Sequence, residues 1–264
     1  MGGSATPDRD ELLAFELALD EKVVDEMRTE SWGRLFLTPS LPMVWDSNWA
    51  GIEQAGLSVD EVIAIADTAL GGEGFAHRTV CVLDEAEGRR LSEALEAEPA
   101  RWPGWAVECT RYMVWRGGAA GPGAVREVRL AEIEGLRREL IAEEMPPGNA
   151  ELEATVDQLY ELNARYAKEC GDRWFVAPAE GAPLSACCLY RQGRIGQVED
   201  VGTLVRGRER GYAKAIVSAA VAAAQAAGDK TIFLTADAAD WPQLLYAKLG
   251  FETVGDLTVL RRRP

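Results

Sequence analysis

The stretch VGTLVRGRERGYAK, residues 201–214, decides how the rest of the chain is read. Val201, Gly202, Thr203, Leu204 and Val205 form a strand-like run. Arg208, Glu209, Arg210 and Gly211 make a turn, and a strong helical pattern follows from Gly211 to about residue 227. The first turn of a helix presents unpaired N–H groups and the positive end of the helix dipole. A turn placed there can wrap a phosphate or pyrophosphate. Gly211 lets the backbone approach a ligand closely, and Ala213 keeps bulk small. Arg206, Arg208 and Arg210 add positive charge, although the same three side chains also read as a solvated charge cluster.

Outward from this stretch, the C-terminal half reads as a strand (125–130), two helices (131–144 and 149–168), and two hairpin strands (174–177 and 184–191) about the turn Glu180-Gly181-Ala182-Pro183. A strand over 195–205 leads into the turn and helix. A strand (231–236), a helix (240–249) and a last strand (257–261) complete the order β-α-α-β-β-β-α-β-α-β, which predicts an α/β sandwich on a mixed sheet. Asp240, before Trp241-Pro242, reads first as a helix N-cap.

The run Gly117-Gly118-Ala119-Ala120-Gly121-Pro122-Gly123 reads as a seam, since no regular element tolerates it. It divides the chain into an N-terminal α/β unit (1–118), a linker (119–124) and a C-terminal unit (125–264). In the first unit a polar helix is expected over 8–29, then a strand and an irregular crossing within 32–50. Ser58-Val59-Asp60-Glu61 looks like an N-cap opening a helix that ends near Gly71-Gly72. A buried strand (79–83), an amphipathic helix (85–98) and a strand (105–115) follow.

Arg208-x-x-Gly211-x-Ala213 resembles the acyl-CoA pyrophosphate motif Q/R-x-x-G-x-G/A of the GNAT (Gcn5-related N-acetyltransferase) superfamily. Leu245-Tyr246-Ala247-Lys248-Leu249-Gly250-Phe251 resembles that family's LYxxLGF signature, at the expected distance and after a strand. The resemblance covers roughly residues 125–264. It implies a mixed, mostly antiparallel central sheet flanked by helices, with acetyl-CoA held by Thr203, Leu204, Val205, Arg208, Glu209, Arg210, Gly211, Tyr212, Ala213 and Lys214. Asp240 occupies a place where relatives often carry a cofactor-contacting Asn. One departure is that Glu209 and Arg210 fill a turn that is glycine-rich in many members. The order strand, helix, strand over 79–116, with Gly104-Trp105 at the last junction, loosely resembles the end of such a domain, so the first half reads as a degenerate GNAT-like unit or an unrelated α/β cap.

The chemistry implied is direct attack of a neutral amine on a thioester, through an oxyanion that expels a thiolate. The resemblance assigns the oxyanion donor to the backbone N–H of Leu204 or Val205, and the proton for the thiolate to Tyr246, which also reads as core packing. Glu199 or Asp200 is the candidate base, through a water; both also read as structural. Strand alternation sends the two carboxylates to opposite faces, so one at most would reach the amine.

The formal charge of −15 argues against nucleic acid, which selects a basic face. No apolar run approaches the length of a membrane span. The five cysteines form no ligand spacing, so no metal is expected and a reduced, cytoplasmic setting fits. Cys187 and Cys188 should face opposite ways as small hydrophobic fillers. His77, the one histidine, reads as structural. Gly2 to Thr6 matches a loose myristoylation pattern and reads instead as an unstructured start. The expected partner is a small-molecule or peptide amine, with a homodimer left open. The alternative to an enzyme is a non-catalytic acyl-CoA-binding or scaffold protein.

Overall fold

A computed structural model describes residues 8–118, 124–177 and 181–264. The Gly2–Thr6 pattern, most of the 119–124 linker and Glu180 lie outside them. The described residues form seven α-helices around one sheet of eleven strands, a mixed and mostly antiparallel α/β architecture. None of the helices is long and apolar enough to cross a membrane.

The first half runs α1 (Arg9–Val23), β1 (Glu26–Glu30), β2 (Gly33–Leu37), β3 (Trp49–Ile52), α2 (Val59–Gly72), β4 (Arg78–Val82), α3 (Glu85–Ala97) and β5 (Trp105–Trp115). The second runs β6 (Arg126–Val128), α4 (Glu134–Glu144), α5 (Leu152–Cys170), β7 (Trp174–Val176), β8 (Ser185–Gln192), β9 (Ile195–Thr203), α6 (Tyr212–Ala226), β10 (Thr231–Asp237), α7 (Pro242–Lys248) and β11 (Phe251–Arg262). The order expected for the second half is the order found. The first helix is shorter than expected, because the chain turns extended at Val24 and pairs Glu26–Glu30 with β2.

The sheet order is β1-β2-β3-β4-β11-β5-β10-β9-β8-β7-β6. Each half contains a parallel β-α-β unit, β3-α2-β4 and β9-α6-β10. The last strand of each half then pairs with the other half: β11 lies antiparallel to β4, β5 antiparallel to β10, and the two strands pair with each other over their length. The strands therefore cross the division drawn at the glycine run. Each of the two strands opens on a glycine in the left-handed region, Gly104 at φ +83° and Gly250 at φ +90°. At Gly250 a β-carbon would lie 1.9 Å from the Gly117 carbonyl oxygen, so the exchange needs glycine there.

Strand alternation divides the core. Val198, Ile232 and Leu234 face α6, with Ile216, Val217 and Val221. Tyr112, Cys188 and Phe233 face α1 and α5. Cys187 and Cys188 fall in different clusters, as adjacent strand residues should. Phe15 of α1 meets the fully buried Phe233 of β10 edge to face at 5.4 Å, so a helix of the first half packs on a strand of the second. His77 is 1% exposed, with Nε2 3.0 Å from the Asn48 carbonyl, as a structural histidine would be.

Candidate active site

Strand β9 pairs with β10 from Ile195 to Gln197 and no further, although both strands continue. The two strands thus separate past Gln197 and Phe233 and open a wedge in the sheet. On its other side β9 carries a bulge. Cys188 of β8 sits opposite Glu199, but Ala186 sits opposite Gly202, which leaves an extra residue on β9. Asp200 takes up the excess with φ +54°, an uncommon backbone state for a residue other than glycine.

Beyond the bulge, Val205–Gly207 make a single 3-10 turn and Gly211 takes the left-handed conformation, φ +79°, as N-cap of α6. Among the described residues no side chain caps this helix. The first intrahelical bond is donated by the N–H of Ala215 to Gly211, so the N–H groups of Tyr212, Ala213 and Lys214 are free among the described residues. The side chains of Arg208, Glu209 and Arg210 are exposed around them. Glu209 holds φ +63°, so the turn keeps a glycine-like backbone without a glycine. Arg206 is drawn away by Glu139, its Nη2 donating at 2.8 Å. Arg208 Nε reaches the Thr203 carbonyl at 3.3 Å, and the Thr203 hydroxyl contacts Ser185 Oγ at 2.8 Å. A free helix N-terminus, a left-handed glycine and exposed arginines suit a diphosphate.

The two candidate oxyanion donors separate. Leu204 is fully buried and its N–H donates to the Leu184 carbonyl at 2.9 Å, so it has nothing to offer a ligand. Val205 is 60% exposed, and its N–H donates to the carboxylate of Glu143 on α4 at 2.8 Å. An anionic oxygen of the chain thus sits where a developing oxyanion would be received.

On the α1 side of the bulge lies a cavity of about 340 Å³. Both Glu199 and Asp200 line it. The alternation expected of a strand would have sent them to opposite faces; the bulge at Asp200 turns both to one. Their surroundings differ. The Asp200 carboxylate pairs with the buried guanidinium of Arg137 and accepts from Asn163 Nδ2 at 2.9 Å. Among the described residues Glu199 has only neutral donors: Gln197 Nε2 at 2.9 Å, Thr235 Oγ1 at 2.9 Å and the Asp200 N–H at 3.1 Å. Burial, with the Asp200 charge beside it, pushes Glu199 up to about 7.

Two acids on α1, unremarked in the sequence, join it. Glu16 accepts from Gln197 Nε2 at 2.5 Å and from the Tyr112 hydroxyl. Asp20, one turn along, accepts from the Tyr166 hydroxyl. Burial, and then neighbouring carboxylates, push Glu16 up to about 8 and Asp20 up to about 7. The one available signal was their i, i+4 spacing among Leu13, Leu17 and Leu19, on a face that should otherwise be apolar.

Tyr246 lies on α7, on the opposite face of the sheet from the cavity. It is 6% exposed, packs on Phe251 with ring centroids 6.2 Å apart, and is held well above its ordinary pKa by burial and then by the nearby charge of Glu199. Asp240 is not the N-cap of α7; that place is taken by Trp241, whose N–H donates to the Asp240 carboxylate at 2.7 Å. The main chain turns one residue later than the Asp-Trp-Pro pattern implied. Among the described residues no group of three His, Cys, Asp or Glu side chains could hold a metal ion.

Residues 136–251 match the model of the acetyltransferase (GNAT) family. A search of curated proteins found no match. Among solved structures, a conserved protein of unknown function from Staphylococcus epidermidis superposes with TM-score 0.65 at 13% identity, covering 92% of this chain and 95% of its own. A GCN5-related N-acetyltransferase from Kribbella flavida gives TM-score 0.61 at 15% identity, over 97% and 95% of the two chains. A tandem GNAT protein from the clavulanic acid biosynthesis pathway gives 0.54 at 13%, over 86% and 77%. Identities this low carry the fold, and the fold extends over both halves. The helix opened by Gly211, the bulged β9 and the Leu-Gly-Phe junction at residues 249–251 all lie inside the matched segment, and residues 136–251 of this chain form a domain of the acetyltransferase (GNAT) family.

Proposed function

We propose that this protein is an N-acetyltransferase that moves the acetyl group of acetyl-CoA to a primary amine of a small molecule or peptide by direct attack. The observation that carries the reading is the uncapped N-terminus of α6, with the free N–H groups of Tyr212, Ala213 and Lys214 beside the wedge between β9 and β10. Acetyl-CoA supplies an activated acetyl thioester. The chain supplies the rest. The α6 turn, with Arg208, Arg210 and Lys214, holds the diphosphate, and the wedge past Gln197 admits the acyl arm between the strands.

Glu199 acts as the base. An acid near neutrality can take a proton from the incoming ammonium at physiological pH, and among the described residues no cation pairs with Glu199. Asp200, fixed by Arg137 and Asn163, positions the bulge instead. The Val205 N–H donates to the oxyanion once Glu143 has moved aside. Tyr246, kept protonated by its surroundings, gives a proton to the departing thiolate. One feature favours the second reading, a non-catalytic acyl-CoA-binding or scaffold protein: Glu143 occupies the one exposed donor.

Both readings expect acetyl-CoA to bind, which calorimetric titration measures. Wild-type protein should bind, and the double variant Arg208→Ala, Gly211→Glu should not. Thiol release on adding amines then marks the enzyme, and binding without thiol release across an amine panel marks the scaffold. Absence of binding at millimolar acetyl-CoA would overturn both.

A further inference from the structure

We propose that the 340 Å³ cavity between α1, α5 and the bulge of β9 receives a small aliphatic amine that carries a second, cationic nitrogen. As an acceptor assignment this rests on the acetyl-transfer reading; the binding preference does not.

Charge is the first argument. Five carboxyl groups line the cavity, Glu16, Asp20, Asp46, Glu199 and Asp200, with two arginines. Both arginines are spoken for: Arg137 by Asp200, and Arg261 by Asp46 and Glu108. Among the described residues Glu16, Asp20 and Glu199 are left with hydroxyl, amide and backbone donors only. A buried carboxyl either pairs with a cation or holds a proton; among the described residues no free cation reaches these three, so a cationic ligand is the group that would pair them in their charged form.

A second observation is independent of the acids. Thr79 of β4 also lines the cavity, is 2% exposed, and has a hydroxyl with no hydrogen-bond partner among the described residues. Its strand neighbour Val80 packs in the core on the other face, so Thr79 faces inward to the cavity. A buried hydroxyl left unpaired is unfavourable unless a ligand satisfies it.

Shape limits the ligand. Benzene fills a cavity of about 150 Å³, so this one takes about a dozen non-hydrogen atoms. Glu199 and Glu16 share one donor, Gln197 Nε2, and therefore lie side by side. Asp20 stands one helical turn beyond, about 6 Å along α1. A chain of about four methylenes spans that distance, and Leu13, Leu17, Leu159 and Leu162 supply an apolar wall for it. With one nitrogen at Glu199 and the other at Asp20, the near nitrogen gives its proton to Glu199 and attacks the thioester carbonyl. The C–N bond forms, the C–S bond breaks and the thiolate takes a proton from Tyr246; as the amide forms, its nitrogen releases its second proton to solvent, from which the Tyr246 hydroxyl is restored, and the far nitrogen keeps its charge throughout.

The test compares 1,4-diaminobutane with 1-aminobutane, titrated into the full-length protein by calorimetry without acetyl-CoA. The diamine should bind at least about tenfold tighter, the effect of one further charge-assisted hydrogen bond. In Asp20→Asn the preference should fall below about threefold with acetyl-CoA binding intact, and Asp20→Ser serves if that variant does not fold. Equal affinity for the two amines in wild-type protein, or no binding of either, overturns the proposal. A diamine preference in a protein that does not bind acetyl-CoA supports the cavity assignment and removes the transfer reading.

Discussion

The two β-α-β units share one plan and differ at the mouth of the helix. In β3-α2-β4 the chain closes the helix itself. Ser58 Oγ accepts from the Glu61 N–H at 3.3 Å, Glu61 Oε2 accepts from the Ser58 N–H at 2.7 Å, and the Gly56 N–H just before is taken by Glu87 at 2.9 Å. In β9-α6-β10 no side chain among the described residues caps α6, and a left-handed glycine stands where the serine stands in the first unit. The strands differ in the same sense. Trp49-Ala50-Gly51-Ile52 of β3 carries no ionisable group, while β9 carries Glu199 and Asp200 on a bulge. One unit spends its helix terminus on stability and the other leaves it open to an anion. A shared topology therefore says where a site can be built, and the capping residues say whether one has been.

The largest effect should come from the strand. Glu199→Gln is expected to lower the acetylation rate by about 10²–10⁴-fold, the usual contribution of a general base, with acetyl-CoA binding preserved. A rate within a few fold of wild type would remove Glu199 from the mechanism and with it the contrast between β9 and β3.

The helix mouths come next. Gly211→Ala forces a side chain into the left-handed region and should destabilise the protein by about 1–2 kcal/mol, weakening acetyl-CoA binding as the turn distorts. Ser58→Ala should cost about 1 kcal/mol in denaturant unfolding and leave acetyl-CoA binding unchanged. Equal loss of acetyl-CoA binding in both variants would erase the distinction between the two units. A smaller change is expected at Glu209, where φ is +63°. Glu209→Gly relieves the strained backbone and removes a carboxylate from the diphosphate site, so acetyl-CoA should bind a few fold tighter, by up to about 1 kcal/mol.

The buried acids make stability depend on pH in a direction opposite to that of paired carboxylates. Glu16 is raised from 4.5 to about 8, Asp20 from 3.8 to about 7 and Glu199 from 4.5 to about 7. Between the two values of each group the folded protein holds a proton that the unfolded chain has released, so stability falls as pH rises. The stability from these three groups is present in full below about pH 4 and is lost progressively up to about pH 8. Thermal unfolding at a series of pH values should show this decline, and the triple variant Glu16→Gln, Asp20→Asn, Glu199→Gln should flatten it. An unchanged slope in that variant would place the titration elsewhere.

Much of this was legible in residue order. The alternation at Cys187-Cys188, the capping residues Ser58 and Glu61, and the pairing of Arg208-x-x-Gly211-x-Ala213 with Leu245-Tyr246-x-x-Leu249-Gly250-Phe251 each depend on neighbours within one or two turns. The expected second-half element order matches the structure for that reason. The failures share a cause as well. The helix expected over 8–29 ends at Val23 because Glu26–Glu30 has a strand partner. Leu204 lost its donor role because its N–H pairs across to Leu184, and Asp240 lost its cap to a one-residue shift of the turn.

By itself, then, the sequence determined the order of the elements, the open helix mouth at Gly211 and the family of residues 136–251, because those are written in local backbone preference and short-range spacing. Only the tertiary structure decided that β5 and β11 exchange partners across the two halves, that a bulge turns Glu199 and Asp200 to one face, and that Glu16 and Asp20 of a helix about 180 residues away meet them. Strand partners, bulges and the gathering of unpaired charges around a cavity are set by which surfaces bury one another, and that is a property of the packed chain.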